Sequence, residues 1–149
     1  IRLSLVGSEM SIRDSAYAAA GRVMVFVGSA VPPDAAEWAA YAAMLREHAN
    51  RYPTMCSMVF TGSGRPSAMQ RKQVTDLGLE RAKSAVIIES AAGRGVVVLL
   101  SWFIPLMKPF SPNELVEACG YLGLSPTEQK SVLETGALLR KELGLAVSA

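Results

Sequence analysis

The sequence predicts an α/β fold: a single compact domain in which a mostly parallel sheet of four to five strands is flanked by helices, with an extra helix at the C-terminus. Three observations lead there. Short apolar runs around 23–27, 58–60 and 85–88 alternate with segments of helical spacing, the mark of strand–helix–strand crossovers. The first of these runs, Val23-Met24-Val25-Phe26-Val27, is continuous in apolar residues, as suits a strand covered on both faces. Finally, Ser111-Pro112-Asn113-Glu114 and Ser125-Pro126-Thr127-Glu128 repeat one helix-start signature, with serine at the cap, proline at the first helical position and glutamate three residues after the cap.

The elements follow in chain order. Ile1 to Val6 alternates apolar and polar residues, which predicts a half-buried edge strand. Gly7 to Gly21 reads either as a short helix or as a second strand with its turn. A central strand follows up to Gly28. Asp34 and Glu37 stand at capping-box spacing, and Trp38, Tyr41, Ala42, Leu45 and Ala49 recur at helical intervals until Pro53. Thr54 to Thr61 is the next strand, and Ser67 with Gln70 caps a helix reaching Leu79. Ser84 to Ser90 holds a buried strand, and Ala91 to Phe103 reads as an apolar helix despite the β-branched Val96-Val97-Val98. Met107 to Phe110 gives a short last strand. Helices over Pro112–Leu122 and Pro126–Leu143 end at Gly123 and Gly144. The main α/β unit thus covers 1–124, with 125–149 as a helical extension packed on it.

Composition narrows the function. With 149 residues, half of them hydrophobic and 19% charged, the chain can bury a core and is not a disordered type. A net charge of +2 without a lysine/arginine run argues against nucleic acid. Cys56 and Cys119 are isolated in apolar segments and His48 is the single histidine. That pattern argues against zinc and suits buried thiols in a reducing compartment. No metal and no cofactor is expected. Gly95 to Met107 is too short for a membrane span, which needs about 20 apolar residues, and a cytoplasmic location is expected. His48 reads as a helix-surface residue, Cys56 as inert strand packing, and Trp102 and Phe103 as core in preference to a partner-facing rim.

The candidate site is the glycine- and hydroxyl-rich turn Thr61-Gly62-Ser63-Gly64-Arg65-Pro66-Ser67, between a strand and a helix. Glycines leave backbone amides uncovered, and a helix N-terminus attracts anions. In open sheets, ligands and partners meet the loops after the carboxyl ends of strands. Those loops begin here at Ser29, Thr61 and Ser90. The expected binding residues are Thr61, Ser63, Arg65, Ser67, Arg71, Ser90 and Arg94. Blander roles compete: Ser67 with Gln70 as a capping pair, and Arg71 with Lys72 as a solvated helix face. Arg94, set between two glycines where a helix start gains little from a cation, is harder to assign to structure alone. The glycine spacing fits neither the phosphate loop nor the dinucleotide fingerprint.

In the order of these elements the chain resembles the STAS superfamily (sulfate transporter and anti-sigma-factor antagonist domains) and its bacterial SpoIIAA-like and SEC14-related members. The strand pair before Gly28, the crossover helix from Asp34 to Tyr52, the strand–turn–helix Val59 to Gln70, the strand Ala85 to Ile88 and the helix Gly93 to Phe103 carry the resemblance. It implies a non-enzymatic protein-interaction and signalling module whose partner is a regulator or kinase. Antagonist members place a phosphorylatable serine in Asp-Ser-Ser-Gly at the start of the helix after the third strand. This chain has Thr61-Gly62-Ser63-Gly64 there, which leaves Ser63 or Ser67 for that role. Two other readings stay open: a small-ligand or lipid-headgroup binder using the glycine-rich loop, and an enzyme acting on a phosphorylated small molecule through Ser63 and Arg65. No general base stands beside either residue in the sequence, so no catalytic residue is assigned. The first strand, as a sheet edge, can also support a homodimer.

Overall fold

The computed structural model describes residues 2–6, 15–28, 35–61, 72, 82–89 and 106–144, with 2–6 and 35 described by backbone alone. They form an α/β structure around one sheet. Its strands are β1 (Arg2–Val6), β2 (Ser15–Ala20), β3 (Val23–Gly28), β4 (Cys56–Thr61), β5 (Ser84–Ile88) and β6 (Met107–Phe110). The helices are α1 (Ala35–Arg51), α2 (Leu115–Tyr121) and α3 (Pro126–Glu142). The six strands lie in sequence order across the sheet. β1, β2 and β3 pair antiparallel, and β3, β4, β5 and β6 pair parallel.

Six strands exceed the four to five expected, and the uncertain stretch Gly7 to Gly21 supplies β2. Alanine favours helix locally, yet here Ala16, Ala18 and Ala19 are held between β1 and β3 by pairing on both sides, and Ala20 pairs with Val23 of β3. Tertiary pairing overrides propensity. Gly21, with φ of 59°, and Arg22 form the two-residue connection to β3. Glycine at the first central position, with no described non-glycine residue at positive φ, matches a type II′ hairpin turn. The expected helices over 67–79 and 91–103 lie outside the described residues, apart from Lys72, which is helical and exposed.

Strand alternation divides the core between the two faces of the sheet. On one face Val23, Val25, Val27, Met58, Phe60 and Ile87 pack with Ala118 and Cys119 of α2 and with Val132 and Leu139 of α3. On the other, Tyr17, Met24 and Phe26 pack with Tyr41 and Leu45 of α1. Tyr41 stands 4.5 Å from Phe26, 5.2 Å from Tyr17 and 5.7 Å from Trp38, measured between ring centroids. Tilted pairs of this kind each add about 0.5–1.5 kcal/mol beyond the area they bury.

The two serine–proline signatures act differently. Ser125 caps α3 as expected: its hydroxyl accepts from the Glu128 N–H at 3.2 Å, and its own N–H donates to Glu128 Oε1 at 3.0 Å. Ser111 instead opens a 3₁₀ turn over Pro112–Glu114, and the α-helix starts only at Leu115. The Glu114 N–H donates to the Ser111 carbonyl at 2.9 Å, an i to i+3 closure that tightens the first turn. α2 ends as expected at Gly123, whose φ is 69°. There the Leu124 N–H reaches the Cys119 carbonyl and the Gly123 N–H the Gly120 carbonyl, both at 3.1 Å, which is a Schellman closure.

α3 lies across β2 and β3. The small side chains of Ala16, Ala18 and Ala20 belong to the cluster it covers, and Gly136 lets it approach Phe60. A Cβ on Gly136 would come within 2.9 Å of the Phe60 ring, whereas a Cβ on Gly120 would meet nothing within 4 Å. The two glycines therefore respond oppositely to alanine. Gly120→Ala gains helix propensity and raises stability by about 0.5 kcal/mol. Gly136→Ala gains the same propensity but overpacks the core at a cost of about 1–3 kcal/mol, for a net loss of about 1 kcal/mol. Urea denaturation of both variants measures the pair, and equal signs would refute the close approach.

Candidate functional site

β3, β4 and β5 run parallel and adjacent, so their carboxyl ends form one rim of the sheet. Val27 pairs with Phe60, and Thr61 with Ile88. The strand exits at Gly28, Thr61 and Ile88 therefore stand side by side, as the sequence implies for the loops that follow them. Thr61 is half-buried at the last position of β4. Ser63, Arg65, Ser67, Arg71, Ser90 and Arg94 lie outside the described residues, as do Trp102 and Phe103. The strand order never reverses. Open sheets bind nucleotide-like ligands in the crevice at such a reversal, and this rim is instead a continuous row of strand exits.

A side chain from outside those loops also reaches the rim. Arg140, near the end of α3, places its guanidinium 3.5 Å from the Glu89 carboxylate just after β5. The same guanidinium stacks 5.7 Å from the centre of the Phe60 ring. Arg140 carries little sequence signal, because a basic residue in a last helical turn is already explained by the helix dipole.

Among the described residues, the amino ends of the same strands hold the denser polar arrangement. Arg22, at the β2–β3 turn, donates through Nε to Glu128 Oε2 at 2.7 Å and through Nη2 to Glu128 Oε1 at 3.3 Å. Nη1 donates to the Thr54 carbonyl at 3.0 Å, and Nη2 also reaches the Gly123 carbonyl at 3.2 Å. The bidentate pair and the Ser125 backbone hold the Glu128 carboxyl down at about 2. Lys83 donates to the Tyr121 carbonyl at 3.2 Å and sits over the Tyr121 ring. Beside these groups is an open cavity of about 400 Å³, lined by Arg22, Tyr52, Thr54, Met55, Cys56 and Lys83 among others.

Burial pushes the Cys56 thiol up, with Arg22 opposing, and burial also raises Cys119. A thiol raised in this way is a poor nucleophile at neutral pH, in keeping with Cys56 as strand packing. His48 departs from expectation. It is 8% exposed, its Nε2 finds no hydrogen-bond partner among the described residues, and its ring lies 4.7 Å from that of Tyr52. Helical spacing puts position 48 one turn after Leu45 and Met44, close enough to the apolar stripe to be covered by the hairpin turn. Burial lowers its pKa, while backbone groups of Arg22 and Gly21 pull upward.

Among the described residues no group of three or more His, Cys, Asp or Glu is placed to hold a metal, and no helix is long and apolar enough to cross a membrane. Comparison with protein-family models, curated proteins and solved structures returns no match.

Two pH responses follow. Glu128 titrates lower in the folded chain than its ordinary 4.5, so its stabilisation is complete above 4.5 and is lost as pH falls toward about 2. Glu128→Gln keeps the cap but removes the charge, costing about 1 kcal/mol near neutrality. The deficit closes through that acid window, as thermal melts across pH would record; a deficit constant with pH would refute the ion pair. His48 is likewise depressed, below 6.5, so its contribution is full above that value and declines as pH drops beneath it. Melting temperature of the wild type then falls on mild acidification, and His48→Leu flattens the fall. An unchanged slope in His48→Leu would place the titrating group elsewhere.

Proposed function

We propose that this chain is a STAS-like, non-enzymatic interaction module that binds another protein along the rim at the carboxyl ends of β3, β4 and β5. The observation that supports it most is the unreversed parallel order of β3 to β6. Successive crossovers in that order send their exit loops out along one line, a shape suited to an extended protein surface. Ser63 and Arg65 follow Thr61 directly in the chain, and Arg94 follows Ile88 by six residues, so the loops carrying them leave from that line. A phosphate on Ser63 or Ser67 would add nearly two negative charges there. It would be favoured by Arg65 and by the helix start that the sequence predicts at Ser67, and it would repel an acidic partner. The partner is a regulator or a kinase in the signalling sense of the resemblance, and the chain acts in the cytoplasm.

The amino-end cavity supports a small-ligand reading less well, because the donors of Arg22 are already directed to Glu128, Thr54 and Gly123. The test compares the two ends. After a partner is isolated, Arg94→Glu and Ser63→Glu each weaken its binding about tenfold or more, a change of ~1.4 kcal/mol, while Lys83→Glu leaves it within about twofold. Calorimetric titration reads both. Insensitivity to the two rim variants, or a larger loss with Lys83→Glu, would overturn the assignment.

A further inference from the structure

The two edges of the sheet are built differently, and the difference points to a second copy of this chain. β6, at one edge, consists of Met107-Lys108-Pro109-Phe110. Pro109 has no N–H to offer and Lys108 is exposed, two features that discourage further strand pairing. β1, at the other edge, is Arg2-Leu3-Ser4-Leu5-Val6, with no proline and with its one charge at the first residue. All five of its residues pair with β2 along one side. The outer side of β1 borders no described strand, so its alternate N–H and C=O groups form a template for another strand.

We propose that β1 pairs antiparallel with β1 of a second copy about a two-fold axis at Ser4, joining two sheets edge to edge. The sequence is self-complementary in that register: Ser4 faces Ser4, Leu3 faces Leu5, and Arg2 faces Val6 of the other copy. The one charge of the strand then lies opposite an apolar residue, and the two arginines are separated by four residues, about 13 Å. That exceeds the Debye length of about 8 Å at physiological salt, so their repulsion is largely screened. Positions 3 and 5 pair with Ala18 and Ala16, which belong to the face covered by α3. The register therefore continues the apolar rows of the sheet across the axis. A five-residue edge, about 17 Å long, buries less than the ~1,200 Å² of a stable standard interface. The dimer is accordingly weak and reversible.

Sedimentation velocity over a dilution series of the full chain shows a monomer–dimer equilibrium with its midpoint at about 10–100 μM. Under mild oxidation Ser4→Cys gives a disulfide-linked dimer, because facing cross-strand positions bring Cβ atoms to ~4.5–5.5 Å. Arg2→Cys does not cross-link, whereas Arg2→Cys combined with Val6→Cys does. The native Cys56 and Cys119 are buried and stay out of the reaction. A chain that remains monomeric across the series refutes the proposal. A dimer that forms without the Ser4→Cys cross-link, or with Arg2→Cys linked alone, refutes the register and the edge together. Ser4→Cys lies in the middle of β1, two strands away from β3 and away from its exit at Gly28, so binding of a partner at the rim is judged separately on that variant.

Discussion

One ion pair fixes how the last helix sits on the sheet. Arg22 stands at the turn between β2 and β3 and holds Glu128, in the first turn of α3, by two contacts of 2.7 and 3.3 Å. The same guanidinium reaches the Thr54 carbonyl ahead of β4 and the Gly123 carbonyl behind α2. Four chain segments, separated by up to 106 positions, thus meet on one planar group. A guanidinium suits this because its donors project in fixed directions, which a lysine ammonium does not offer. Both side chains keep contact with water, at 23% and 33% exposure, so the pair contributes register and angle more than raw energy. Energy comes from what the angle permits: α3 settles on alanines of β2, and Gly136 brings it against Phe60.

Much of this was legible in the residues. The uninterrupted Val23-Met24-Val25-Phe26-Val27 run became a strand buried on both faces, since only a central strand can cover every side chain. Ser125 and Glu128, and the glycines at 123 and 144, fixed the ends of α2 and α3 because each meets a local hydrogen-bonding need of a helix end. Local signals failed where distant chain decided the outcome. Ala16 to Ala20 suit a helix or a strand equally on pattern, and pairing with β1 and β3 chose the strand. His48 looked like a surface residue because nothing local says that the hairpin turn comes to cover it. Ser111 carries the same signature as Ser125, yet its first turn closes as a 3₁₀ helix.

The candidate site divides in the same way. A strand–helix–strand pattern says that exits lie at carboxyl ends, and the parallel register of β3, β4 and β5 agrees. The pattern does not say whether spatial order follows chain order, because crossovers of equal length can step to either neighbour. That order decides between a crevice and a row of exits. Thr61 was identified from its neighbours in sequence. Arg140 was missed, since its relation to Glu89 and Phe60 spans dozens of residues and leaves no trace in spacing.

The two ends of the sheet now have different physical characters. At the amino ends, polar groups are engaged with one another: Arg22 with Glu128 and two carbonyls, and Lys83 with the Tyr121 carbonyl. Recruiting either of them for a ligand would first require breaking a contact that holds α3 or α2 in place. Arg22 fixes the start of α3 against the hairpin turn through contacts that a ligand would displace, so an end built like this serves stability. At the carboxyl ends the described strands stay paired up to Thr61 and Ile88. A surface takes on a partner, or a phosphate, most readily where the fold does not rely on the same groups, and the engagement of Arg22 is the ground on which recognition is proposed for the rim instead.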